Sequence, residues 1–140
     1  MSRRGNTIEN TISPIDVAAL EATEVGQRVA LICKSADALK AENITVLDVR
    51  GQTIIADYFV ICSGTSTTHI HSIAGHVVDE MRAQGFRTRA EGQAASCWIV
   101  LDYGDAIMHV LNEEMREFYD LERLWADAKI SHWSAQQPAS

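Results

Sequence analysis

The 140-residue chain is 46% hydrophobic and 22% charged, the size and composition of one domain that buries a core without disulfide staples. Its formal net charge of −7 disfavours broad binding to a phosphate backbone and favours a basic protein partner. No apolar run approaches the ~18–20 residues of a membrane span, and no apolar segment of a signal peptide follows the basic start, so no membrane contact and a cytoplasmic protein are expected.

Residues 1–12 are polar and aperiodic and read as a disordered arm, followed by a single domain over 13–127 and a loose tail over 128–140. Ser13-Pro14-Ile15-Asp16 has the pattern of a helix start, with serine as N-cap and proline at the first helical position. Val25, Val29, Ile32, Ala36 and Leu39 recur at three and four residues, which predicts a helix to about Lys40, with a break near Thr23–Gly26 as an alternative. Asn43 ends it. Ile44–Val49 reads as a strand, Arg50-Gly51-Gln52 as a turn, and Ile54–Ala56 as the start of the next pairing.

Tyr58–Cys62 is apolar throughout, the signature of a central strand covered on both faces. Ser63-Gly64-Thr65-Ser66 then leads into a helix over Thr67–Ala83, whose Ile70, Ile73, Ala74, Val77, Val78 and Met81 form one stripe. Gly85 suits its C-terminal stop. Phe86–Ala90 reads as a strand, so strand–helix–strand here predicts a right-handed crossover to an adjacent parallel strand. Glu91–Ser96 is a polar loop.

Cys97–Leu111 is the most informative stretch. Two apolar runs flank Gly104-Asp105, which predicts a hairpin with Tyr103 paired to Ala106. Alternation then puts Ile99, Leu101, Tyr103, Ala106, Met108 and Val110 on one face, read as core. Trp98, Val100, Asp102, Ile107, His109 and Leu111 share the other, read as a half-exposed recognition surface. A last helix begins near Asn112 with Glu113, Glu114 and Glu117 at its positive end, and Phe118, Leu121 and Leu124-Trp125 supply apolar contacts. The order of elements describes an α/β fold: one mixed sheet of about five strands flanked by helices.

Candidate chemistry is sparse. The Gly64, Thr65, Ser66 turn lies between a buried strand and a helix N-terminus, where free N–H groups hold anions; ordinary turn and capping chemistry is the competing account. A turn of this kind is similar to that of nucleotidyltransferases, but those enzymes hold magnesium with closely spaced carboxylates, and no Asp-x-Asp pair follows it. His69 and His76 share a helix face that His71 does not, so these three do not make one metal site and read as solvated histidines. Cys33, Cys62 and Cys97 form no Cys-x-x-Cys pair and read as free thiols. His109 near Asp102 has no serine or cysteine nucleophile placed beside it by sequence. No catalytic residue, metal or cofactor is therefore assigned. Trp98, Asp102, Tyr103, Asp105 and Tyr119 are the side-chain types of interface anchors, unless Trp98 and Tyr119 fill the core and the carboxylates only shape the turn.

Leu-Asp-Val-Arg-Gly (47–51), Ala-Asp-Tyr-Phe-Val-Ile-Cys-Ser-Gly-Thr-Ser (56–66), Trp-Ile-Val-Leu-Asp-Tyr-Gly-Asp (98–105), His-Val (109–110) and Arg-Glu-Phe-Tyr-Asp-Leu-Glu-Arg-Leu-Trp (116–125) together closely resemble the Iojap-related ribosomal silencing factors. The resemblance runs from about Val25 to Trp125. It implies a nucleotidyltransferase-like fold without the catalytic carboxylates and a role without catalysis. It also implies binding to the large ribosomal subunit through its protein fourteen, a block on subunit joining when nutrients are scarce, and homodimers off the ribosome. On that expectation Trp98, Asp102, Tyr103, Asp105, His109 and Tyr119 form the partner-binding set, with Tyr103 joining only if the turn twists it to the rim. Little direct nucleic-acid contact is expected. A nucleotide-binding relic at Gly64–Ser66 and a dimeric adaptor remain the alternative readings.

Overall fold

A computed structural model describes residues 12–91, 97–125 and 127–133. Residues 1–11 of the expected arm, most of the 91–96 loop and residues 134–140 of the expected tail lie outside them. The elements are β1 (Ile12–Pro14), α1 (Val17–Leu20), α2 (Glu24–Ala38), β2 (Glu42–Asp48), β3 (Tyr58–Ser63), α3 (Thr67–Ala83), β4 (Arg89–Glu91), β5 (Trp98–Asp102), β6 (Ala106–Leu111), α4 (Glu113–Tyr119), α5 (Leu121–Leu124) and β7 (Lys129–His132). The seven strands form one mixed sheet in the order β1-β7-β2-β3-β6-β5-β4.

β3 sits at the middle of this order and is buried along its whole length, as its unbroken apolar run predicts. α2 and α3 cover one face of the sheet. Val29, Ile32 and Ala36 from α2 and Ile70, Ile73, Val77 and Met81 from α3 pack there on Val60, Cys62, Leu101 and Met108. Each fully buried aliphatic side chain in this layer contributes roughly 1.5–3 kcal/mol. The second face is covered less completely. Leu47, Phe59, Ile61, Leu111 and Ile130 form its buried patch, and the short helices α4 and α5 lay Met115, Leu121 and Trp125 across only part of it.

Local chemistry explains the boundaries. The helical pattern after Pro14 is broken at Thr23, whose hydroxyl accepts from the Gly26 N–H and starts α2. α3 begins at Ser66, which accepts from the His69 N–H, and ends in a Schellman motif: Phe86 N–H bonds to Met81 C=O and Gly85 N–H to Arg82 C=O. Gly85 accommodates this at φ +92°. The β5–β6 hairpin has the expected register, with Tyr103 N–H donating to Ala106 C=O and Gly104 at φ +85° in the turn.

Several expectations fail, each for a local reason. Ser13-Pro14 does not start a helix; Ile12–Pro14 is an edge strand parallel to β7, where a proline is tolerated, and Asp16 is the N-cap. Asn43 does not end a helix: α2 stops at Ala38, and Asn43 sits at φ 50° where the β2–β3 register shifts. Ile54–Ala56 does not pair, and Ile54 is fully exposed at the loop tip. β4 does not lie beside β3. The β5–β6 hairpin inserts between them, so the parallel partner of β3 is β6, while β4 pairs antiparallel with β5 at the sheet edge. Lys129–His132, within the stretch assigned to a loose tail, is a strand wedged between β1 and β2. β1 and β7, added beyond β2, raise the expected five strands to seven.

Candidate interaction surface

Hairpin alternation places Trp98, Val100, Asp102, Ile107 and His109 on the incompletely covered face, all of them half-buried. Trp98 and His109 are the centre. The Trp98 indole N–H donates to His109 Nδ1 at 3.0 Å, which leaves His109 neutral with its proton on Nε2. Burial pushes the imidazole pKa down to about 4, so the acceptor persists at neutral pH.

α4 brings the next ring. Asn112 caps it by accepting from the Met115 N–H, and Tyr119 at its far end lies 4.9 Å from Trp98, centroid to centroid. Phe118 meets Tyr119 edge-on at the same distance. Below them Phe59 touches both His109 and Trp125. A continuous aromatic layer therefore runs from the buried strand β3 out to solvent. Its outer members are open: Phe118 is 78% exposed, Tyr119 48% and Leu124 70%. The exposed carboxylates of Glu114 and Glu117 flank them on α4.

The structure divides the expected set. Trp98, His109 and Tyr119 meet one another. Asp102 shares their face at the turn end of β5, where its Oδ1 accepts from the Gly104 N–H at 2.8 Å. Tyr103 packs against the helical layer on the opposite face, where burial raises its phenol pKa; the turn does not twist it to the Trp98 side. Asp105 also stands apart from the Trp98 cluster. Its carboxylate pairs with Arg28 of α2 at 2.7 Å, and its carbonyl accepts from Asp57 N–H and Tyr58 N–H.

The Gly64, Thr65, Ser66 turn is internally occupied. Gly64 N–H donates to Leu111 C=O, and Thr65 N–H donates to His69 Nδ1 at 2.9 Å. His69 Nε2 then reaches Leu39 C=O at 2.8 Å. His69 is thus a half-buried clamp between α2 and α3 rather than a solvated side chain. A Cβ on Gly64 would come within 2.7 Å of Ile70 Cγ1, so this glycine serves close packing. With those donors engaged, the capping account of the turn is the better supported one.

Two features were missed in the sequence. Phe118, placed among the apolar contacts by its three-residue step to Leu121, faces solvent because α4 ends at Tyr119 and Asp120 turns the chain at φ 48°. Arg116 is buried, and no periodicity in the sequence marks it as structural. Its guanidinium bonds Glu122 twice, at 3.0 and 2.7 Å, and reaches Asn43 C=O, Ser63 Oγ and Thr45 Oγ1. Asn43 in turn donates to Glu113, and that bond holds the Glu113 carboxyl below its usual range. The network fixes the α4–α5 elbow, and with it Tyr119, against β2 and β3.

Comparison with known proteins assigns the chain to a family. The family model described as "Ribosomal silencing factor during starvation" matches residues 22–140. The chain belongs to this ribosomal silencing factor family. The match extends past Trp125, where the resemblance in the sequence stopped, and takes in β7. The chain is 39% identical over 99 residues to "Ribosomal silencing factor RsfS" of Haemophilus influenzae, covering 70% of this chain and 97% of that protein. It is 36% identical over 96 residues to the protein of the same name from Bacillus subtilis, covering 68% and 81%. A crystal structure of a Chromobacterium violaceum protein superposes with TM-score 0.72 at 25% identity over 74% of this chain and 88% of that one. Another, from Bacillus halodurans, gives TM-score 0.63 at 33% identity over 69% and 91%.

Among the described residues no helix is long and apolar enough to cross a membrane. No group of three or more His, Cys, Asp or Glu side chains there is arranged to hold a metal ion.

Proposed function

We propose that this chain represses translation by docking on the large ribosomal subunit through ribosomal protein fourteen and blocking the joining of the small subunit under nutrient limitation. The observation that carries the reading is the half-covered aromatic layer: Trp98 and Tyr119 meet at a tilt at its centre, and Phe118 opens to solvent beside acidic side chains. A large exposed aromatic set with a charged rim is the anatomy of a protein interface. Its carboxylates, Asp102, Glu114 and Glu117, on a chain of net charge −7, complement a basic protein. Membership of the ribosomal silencing factor family supports the same partner class.

In this reading Trp98, Tyr119 and Phe118 supply contact area, Asp102 pairs with partner Lys or Arg, and His109 acts by orienting Trp98. The site requires no catalytic group. The test is co-sedimentation with separated ribosomal subunits across a salt series. Comigration with the large subunit, lost in a Trp98→Ala, Asp102→Asn double variant that still folds, supports both the role and the surface. Absence of the wild type from the large-subunit fraction would remove the reading.

A further inference from the structure

The geometry points to a second contact made by the same docked protein: an arginine edge, beside α3 and β4, that binds the phosphate backbone of RNA on the large subunit. The charge of −7 is unevenly spread. From Arg82 to Arg89 the sequence is Arg-Ala-Gln-Gly-Phe-Arg-Thr-Arg, with three cations and no carboxylate. Val78, Arg82, Phe86, Arg87 and Thr88 line a groove of about 250 Å³ there. Phe86 gives it an apolar wall, already covered on one side by the Arg28 guanidinium 5.2 Å from the ring centroid.

The pairing of the arginines makes the edge unusual. Among the described residues Arg28, Arg50, Arg82, Arg116 and Arg123 each have a carboxylate within 4.0 Å. Arg87 and Arg89 have none there, and both are exposed. The nearby acids do not neutralise them. Asp79 sits 3.5 Å from Arg82, in a pair exposed by 67% and 73% that water and salt screen. Asp102 lies opposite Arg89 in register, yet its carboxylate is turned to the Gly104 N–H.

The unpaired Arg87 fork beside the Phe86 wall, with the unpaired Arg89 fork two residues further along the edge, suits phosphate oxygens and the unstacked bases of RNA. An acidic protein surface is the rival occupant, but its carboxylates would meet the forks alone, whereas RNA offers both oxygens for the forks and a flat base for the Phe86 ring. The inference rests on docking to the large subunit as proposed above, and it narrows the limit set by net charge: a local contact of two or three phosphates, not a broad one.

The test measures affinity for purified large subunits against salt, for the wild type and an Arg87→Gln, Arg89→Gln double variant. Each lost phosphate contact should reduce the slope of log K against log salt by about 0.7–0.9, so the double variant should lose roughly 1.5 from the slope. An equal slope for both proteins overturns the proposal while leaving the docking reading standing. Failure of the wild type to bind removes both. A photo-reactive benzophenone amino acid in place of Arg82, an exposed residue of the groove lining, separates the occupants in the assembled complex. Crosslinks to ribosomal RNA support the proposal, whereas crosslinks to protein alone overturn it.

Discussion

The Trp98 indole N–H and His109 Nδ1 form a 3.0 Å hydrogen bond across the β5–β6 hairpin, two residues out of direct register and so on the same face. The bond exists only while His109 is neutral, because a protonated imidazole has no acceptor. The indole is therefore aimed by a group whose charge state matters.

Stability should consequently fall in acid in a way that His109 controls. Burial lowers its pKa from 6.5 to about 4, so between these values the unfolded chain binds a proton that the folded chain excludes. The favourable difference is fully present above pH 6.5 and is lost as pH falls toward 4. At pH 5 the loss is about 2 kcal/mol at 1.36 kcal/mol per unit. Urea denaturation at pH 7.5 and pH 5 measures it, and His109→Gln, which keeps an acceptor for Trp98, should remove that part of the pH dependence. An unchanged pH dependence in the variant would show that His109 is not the titrating group.

Phe118 separates contact from folding. Its 78% exposed ring has little to lose on the protein's own account, so Phe118→Ala should change stability by no more than about 0.5 kcal/mol. If the ring is an interface anchor, the same variant should weaken large-subunit binding by about 1–2 kcal/mol, or roughly five- to thirty-fold. Equal affinity in a sedimentation titration would take Phe118 out of the interface.

Asp105 carries the opposite expectation. It pairs with Arg28 through a carboxylate that is 59% exposed, and α2 holds it on the helical side of the hairpin tip. Asp105→Asn should cost less than about 1 kcal/mol in stability and leave large-subunit affinity at the wild-type value. A loss of binding comparable to that of Asp102→Asn would put the hairpin tip back into the interface.

The contrast between the two aspartates shows what a sequence conveys here. Strand parity is a local property, so the Gly104 turn assigned Asp102 and Tyr103 to opposite faces before any fold was known. Tyr103 enters the candidate set by its residue type, and parity is the better guide to where its ring packs. Asp105 lies in the turn, where parity has no force, and its partner Arg28 is 77 residues away. No periodicity encodes such a pair. The same holds for β7: four residues after an irregular stretch carry little pattern, and only the edge offered by β2 makes them a strand. Family resemblance helped where residues are close in sequence. It said nothing of the Arg116 guanidinium, whose partners come from β2, β3 and α5.

Arg116 gives the most severe prediction. Removing it would leave Glu122 without its ion pair and strip Asn43 C=O, Ser63 Oγ and Thr45 Oγ1 of a shared donor beneath α4. Breaking one side of a buried pair costs about 3–5 kcal/mol, since the remaining charge stays desolvated. Arg116→Ala should therefore lower the urea midpoint markedly, and Arg116→Lys should recover only part of it, because an ammonium lacks the planar fork that reaches both β2 and Glu122. An Arg116→Ala, Glu122→Ala double variant removes the stranded carboxylate as well. It should be less destabilised than the sum of the two single changes, which measures the coupling. Strict additivity would mean that the elbow before Tyr119 is held by apolar packing of Met115 and Leu121 rather than by this network.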